Sequence, residues 1–171
     1  MTESNAPEPA QEMQHERREV WREGLTMALY ISLSLLAVMA AIPSEEIEAN
    51  SGLALTIALT ALGLVLAHEV AFGMSSRLVT PGSKLEPLVS KVISAQVIGG
   101  AAVTLLAVLP ILIFGPEAYL WSGALLLLFV MFVGYRVARS APHGRLRSLA
   151  YVAVVVVVVS GVLAVKSLVG H

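Results

Sequence analysis

The chain has no cysteine, no aspartate and few charges of either sign. Without cysteine there can be no disulfide scaffold, thiolate metal site or cysteine nucleophile. All 12 acidic residues are glutamate, which removes the phosphoryl-transfer and calcium-loop patterns that need Asp at fixed spacing. Charged residues make up only 13% of the 171 positions, against about 25% in an ordinary soluble domain. That is too few to cover a water-facing surface, so the outer surface is expected to face lipid. A hydrophobic share of 57% and a mean hydropathy of +0.81 agree. Arg outnumbers Lys, and Ala, Val, Leu and Gly dominate. This composition suggests a GC-rich bacterium and a place in its cytoplasmic membrane.

What is present is a set of long apolar runs. Residues 1–23 form a polar, Glu/Pro-rich tail, expected to be cytoplasmic and largely disordered up to about Gln14. The stretch HERREVWRE is expected to begin an interfacial helix that runs into the first span, with Trp21 at the headgroup level. Residues 24–171 form one membrane domain with spans at about 24–42, 53–74, 92–114, 119–135 and 149–168. Each is near the roughly 20 residues needed to cross a hydrocarbon core of about 30 Å. The run VAVVVVVV in the last span would favour a strand in water. In lipid an isolated strand leaves its backbone groups unsatisfied, so helix is expected. The first span reads as an uncleaved signal anchor, because its leader is long and acidic and its apolar run is too long for a signal peptide. The fold class is therefore an all-α integral membrane protein, a five-transmembrane-helix bundle.

Orientation follows from the basic residues. Arg17, Arg18 and Arg22 precede the first span; Arg77, Lys84 and Lys91 lie between the second and third; Arg136, Arg139, Arg145 and Arg147 lie between the fourth and fifth. Only Lys166 falls elsewhere, and its stem is long enough to snorkel. The opposite side carries PSEEIEANSG and the short GPEA turn. The positive-inside rule then puts the N-terminus in the cytoplasm and the C-terminus outside.

Small residues at helical spacing mark candidate packing faces, since close approach is the main source of helix association in lipid. They are Thr26, Tyr30, Ser34, Ala37 and Ala41 in span one; Thr56, Thr60, Gly63 and Ala67 in span two; Gln96, Gly99, Gly100, Val103 and Ala107 in span three; Gly123, Leu127, Val130 and Gly134 in span four; and Ala153, Val157, Ser160 and Ala164 in span five. Span two also carries His68 and Glu69 away from its small stripe, so it is the expected central or interface helix.

His68 and Glu69 are the chemically conspicuous pair. Counting from Arg77, His68 lies roughly 13 Å inside the cytoplasmic edge. Gln96 and Tyr30 reach similar depths and Ser34 lies deeper, so Tyr30, Ser34, His68, Glu69 and Gln96 form a candidate intramembrane polar or proton site. Ionisable groups in a span are costly and often mark ion or proton pathways. Adjacent helical residues do not face one another, so His68 and Glu69 are each expected to have a partner on another span. Tyr30 is a candidate donor to Glu69, and Gln96 a partner for either. Interhelical glue or side chains snorkelling to the headgroups are the plainer explanations.

Other chemistries are poorly represented. The zinc-protease pattern needs a second His four residues after the first, and position 72 is Phe. No metal site, cofactor, phosphate loop or nucleophile is apparent, and no enzymatic activity is expected. The basic stretch YRVARSAPHGRLRS reads as a topology determinant touching anionic lipid, with no nucleic-acid partner. The expected partners are the lipid bilayer and either a second copy or another membrane protein. Two functions stand. The base rate favours a non-enzymatic accessory or assembly subunit. The alternative is a small ion channel or proton-coupled transporter that uses the His68/Glu69 level.

Overall fold

The computed structural model describes residues 9–43, 47, 52–79, 87–140 and 153. All regular structure among them is helical: α1 Pro9–Ala41, α2 Leu53–Val79, α3 Pro87–Phe114, a 3-10 turn Pro116–Ala118, and α4 Tyr119–Ser140. Four segments are long and apolar enough to cross a membrane: Met13–Ala41, Leu53–Ser76, Leu88–Phe114 and Pro116–Val137. The expected fifth span, 149–168, lies outside the described residues, and Ser160 with it. Helix α1 begins at Pro9, earlier than expected, and the polar stretch through Glu23 is continuous with the apolar part. Its 33 residues rise about 50 Å, well beyond a core of about 30 Å.

Helices α1 and α3 form the most extensive contact and run in the same direction: Glu16 meets Lys91 at one end, and Gly24 meets Ala95 and Gly99 further along. Helix α3 also packs on α2 and α4, whereas α1 touches α4 and, least, α2. The α1–α3 pair is therefore the centre of the described bundle, with α2 and α4 to either side. Among the described helices the second span, expected to be central or at an interface, is thus peripheral to this pair. One face of α2 is buried through Leu53, Ala54, Ile57, Ala61 and Val65, while Leu55, Leu59, Leu62, Leu66 and Val70 face outward.

The reason lies in the glycines of the central pair. A Cβ at Gly24 would stand 2.9 Å from the Ala95 carbonyl oxygen, and one at Gly99 would run into the Gly24 carbonyl oxygen. Backbone meets backbone at both points, so neither can yield to a side chain. Contact this close supplies the dispersion and Cα–H···O attraction that stands in for a hydrophobic driving force in lipid. The face Gln96, Gly100, Val103 and Ala107 is buried as the sequence predicts, with Gly99 half-buried.

The predicted faces of α1 and α2 are different. Thr26, Tyr30, Ala37 and Ala41 are exposed and Ser34 is half-buried; Met27, Ala28, Ile31, Ser32, Leu35 and Met39 are buried instead. On α2, Thr56, Gly63 and Ala67 are exposed, and a Cβ at Gly63 would meet nothing within 4 Å. Among the described residues, Gly63 thus has no packing partner. Hydroxyls on these faces need no partner helix. Thr26 donates to the Arg22 carbonyl at 2.9 Å, Thr56 to Gly52 at 3.2 Å and Thr60 to Thr56 at 2.8 Å. Their polar atoms are satisfied one turn back, so the residues can face lipid.

The far end of the bundle is tied by Tyr119, whose hydroxyl donates to the Met39 carbonyl in the last turn of α1. The reversal between α3 and α4 is made by Gly115, at φ 81°, a conformation that L side chains rarely adopt. In thermal unfolding in detergent, Gly99→Ala is expected to cost about 1–3 kcal/mol by forcing two backbones apart. Gly63→Ala is expected to stay within about 0.5 kcal/mol of the parent. Equal effects at the two glycines would contradict this packing.

Candidate functional site

The site is built at the level where three helices meet. A Cβ at Gly100 on α3 would lie 2.8 Å from Val65 Cγ2 on α2 and 3.8 Å from both Ile31 Cγ1 and Met27 Cγ on α1. Helix α2 joins α3 through the short connection after Val79 and so runs opposite to α1 and α3. One turn from this junction towards that connection brings Glu69 on α2, Gln96 on α3 and Glu23 on α1 to a common level, about 6 Å away along the axis. The register is supported by a direct contact: Gln96 Nε2 donates to Glu23 Oε2 at 3.3 Å. The other carboxylate oxygen of Glu23 accepts from Arg22 Nη2 at 3.0 Å and Nε at 3.3 Å.

Satisfaction of this layer is incomplete. Gln96 is only 2% exposed. Its Oε1 and both carboxylate oxygens of Glu69 are buried, without a hydrogen-bond partner among the described residues. Three acceptors thus lie buried and unpaired, and the one amide donor with a partner is already turned to Glu23. Buried acceptors left without donors each cost about 1–3 kcal/mol, and a charge costs more.

The sequence-predicted residues divide into two groups. Glu69 and Gln96 share the layer. His68, one step along α2, turns to the α1–α2 seam, where its ring centroid lies 5.9 Å from that of Tyr30 with the planes tilted by 39°. Tyr30 therefore meets His68 and not Glu69. The aromatic side chain leans towards the N-terminus of its helix, which carries the Tyr30 ring down to the His68 level. Ser34 does not join the layer: it is eleven residues past Glu23 on α1, roughly 16 Å further along the axis. Among the described residues no group of three or more His, Cys, Asp or Glu could hold a metal ion.

Glu23 is the member that sequence reasoning missed, because it was assigned to the tail. The signal was available: Glu23, Met27, Ile31 and Leu35 recur every four residues and share a helical face. No family model, no curated protein and no solved structure matches the chain. Among the described residues, fold and site define an all-helical chain with four apolar helices long enough to span a membrane and a Gln96–Glu23 contact between two of them.

Replacing Glu69 by Leu removes two unpaired acceptors from this layer. It is expected to raise stability in detergent by about 1–3 kcal/mol, as functional residues placed against stability do. A loss of that size in the melting experiment would mean that the Glu69 carboxylate has a partner.

Proposed function

We propose that the chain is a five-span membrane protein, N-terminus cytoplasmic and C-terminus outside, whose polar layer takes up and releases a proton as part of a small proton-coupled transporter. The supporting observation is that, in this layer, the two Glu69 oxygens and Gln96 Oε1 are buried without donors among the described residues. Protonation of Glu69 removes its charge and converts one of its acceptors into an O–H donor, the kind of group that Gln96 Oε1 lacks. Ionisable groups kept within spans at such a cost are commonly proton relays. The packed junction of Val65, Gly100, Met27 and Ile31 favours a carrier, which closes on one side at a time, over an open channel.

The same junction favours a second reading, a non-enzymatic accessory or assembly subunit. In that case the layer only joins α1, α2 and α3, and nothing passes. Reconstituted vesicles with a trapped pH dye separate the two. Transport predicts a gradient-driven proton flux that Glu69→Gln abolishes while the protein remains folded. Absence of flux in the parent, with Glu69→Gln altering stability alone, leaves the accessory role.

Sidedness is supported by the basic residues, ten of the 11 lying on the expected cytoplasmic side. The cysteine-free chain makes this directly readable. A cysteine at exposed Glu117 is expected to react with an impermeant maleimide added to intact cells, and one at exposed Gln14 only after lysis. The reverse pattern would invert the topology.

A further inference from the structure

A groove of about 500 Å³ opens between the polar part of α1 and the first turns of α3, and it is separate from the polar layer. Its walls change character along the helices. Arg17 and Lys91 lie at the polar end, Ser90 and Ser94 beside them, and Trp21 and Ile98 towards the apolar end. The cause is periodicity: Arg17 and Trp21 are one turn apart on α1, and Ser90, Ser94 and Ile98 follow one another by single turns on α3. Charge, then hydroxyl, then indole, then exposed aliphatic surface is the order met on passing from the headgroups into a leaflet.

Charge decides the kind of lipid. Lys91 Nζ is paired with Glu16 Oε1 at 2.6 Å, whereas Arg17 has no ion pair among the described residues. Among the described residues, Glu16 is the one carboxylate in the groove wall and is already engaged. Among the described residues the groove therefore has one uncompensated positive charge, on a guanidinium able to bind a phosphate through two parallel N–H donors. Trp21 is 75% exposed, placed as an interfacial indole beside the glycerol region.

We infer that this groove is a binding site for an anionic phospholipid, whose phosphate is held by Arg17 with Lys91 beside it and whose acyl chain lies along Ile98. The inference needs the apolar helices to lie in a bilayer, and it does not depend on the proton reading.

Brominated lipids test it. Trp121→Phe, at the opposite end of the bundle beside Tyr119, leaves Trp21 as the sole tryptophan. The protein is reconstituted in phosphatidylcholine vesicles containing equal mole fractions of either brominated phosphatidylglycerol or brominated phosphatidylcholine. Quenching by brominated phosphatidylcholine verifies insertion in every variant. The expected result is enrichment of the anionic lipid at Trp21 by about fivefold, the factor for one basic residue near an anionic headgroup. Arg17→Gln should remove this preference. Arg139→Gln, on α4 where Arg139 Nη1 donates to the Tyr135 hydroxyl at 3.0 Å, should retain it. Equal quenching by the two lipids overturns the site. So does a preference that survives Arg17→Gln, or one that falls equally in both variants, which would mark a diffuse basic surface.

Discussion

Everything in the described bundle depends on the approach of two backbones. Gly24 and Gly99 leave no room for a Cβ between α1 and α3, and Ala95 fills the next position along the same seam. Lipid offers no hydrophobic force to draw helices together, so association depends on close contact of this kind. The contact also sets the register. With Gly24 against Ala95 and Gly99, Glu16 falls beside Lys91 and Glu23 beside Gln96. Helix α2 then packs Val65 over Gly100, which brings Glu69 to the level of the other two polar residues. The polar layer is thus a consequence of glycine packing and does not need a dedicated loop or domain.

The layer changes the meaning of the His68–Glu69 pair. In sequence the two look like a dyad; in the bundle they serve different seams. His68 stacks at a tilt against Tyr30 in the α1–α2 seam, while the carboxylate of Glu69 is enclosed without a partner among the described residues. A structural polar residue is normally satisfied, because an unpaired buried acceptor costs more than a made hydrogen bond returns. Glu23 and Gln96 show how such groups are usually accommodated, through a mutual contact and an arginine at the edge. Glu69 departs from that pattern. A carboxylate with neither oxygen paired among the described residues, next to two groups that contact each other, is where exchange of a proton is most readily placed.

How much of this could be read beforehand depended on which physical quantity the sequence reports. The apolar helices were legible because run length and hydropathy do not depend on neighbours, and four of the five expected spans correspond to helices α1 to α4. The α3 face was legible because Gly99-Gly100 next to Gln96 can only be useful against another helix. The α1 and α2 faces were not. Thr26, Thr56 and Thr60 look like interface residues, but each satisfies its hydroxyl on its own backbone. The bulky Met27 and Ile31 could pack centrally because Gly100 of α3 made space for them. Glu69 and Gln96 were found from depth alone, as both lie a similar distance inside basic residues. The partner of each was not legible, since that requires the register between helices. Glu23 was lost by ending the polar tail at a composition boundary that the helix does not observe.

The central claim is that Glu69 carries a titrating proton in a layer shared with Gln96. Infrared difference spectroscopy of the reconstituted protein across a pH series measures this most directly, because a protonated carboxyl has its own carbonyl band. The account predicts a pH-dependent band that disappears in Glu69→Gln and shifts in frequency in Gln96→Leu. A spectrum with no titrating carboxyl assignable to Glu69, or a band that Gln96→Leu leaves unmoved, would contradict it.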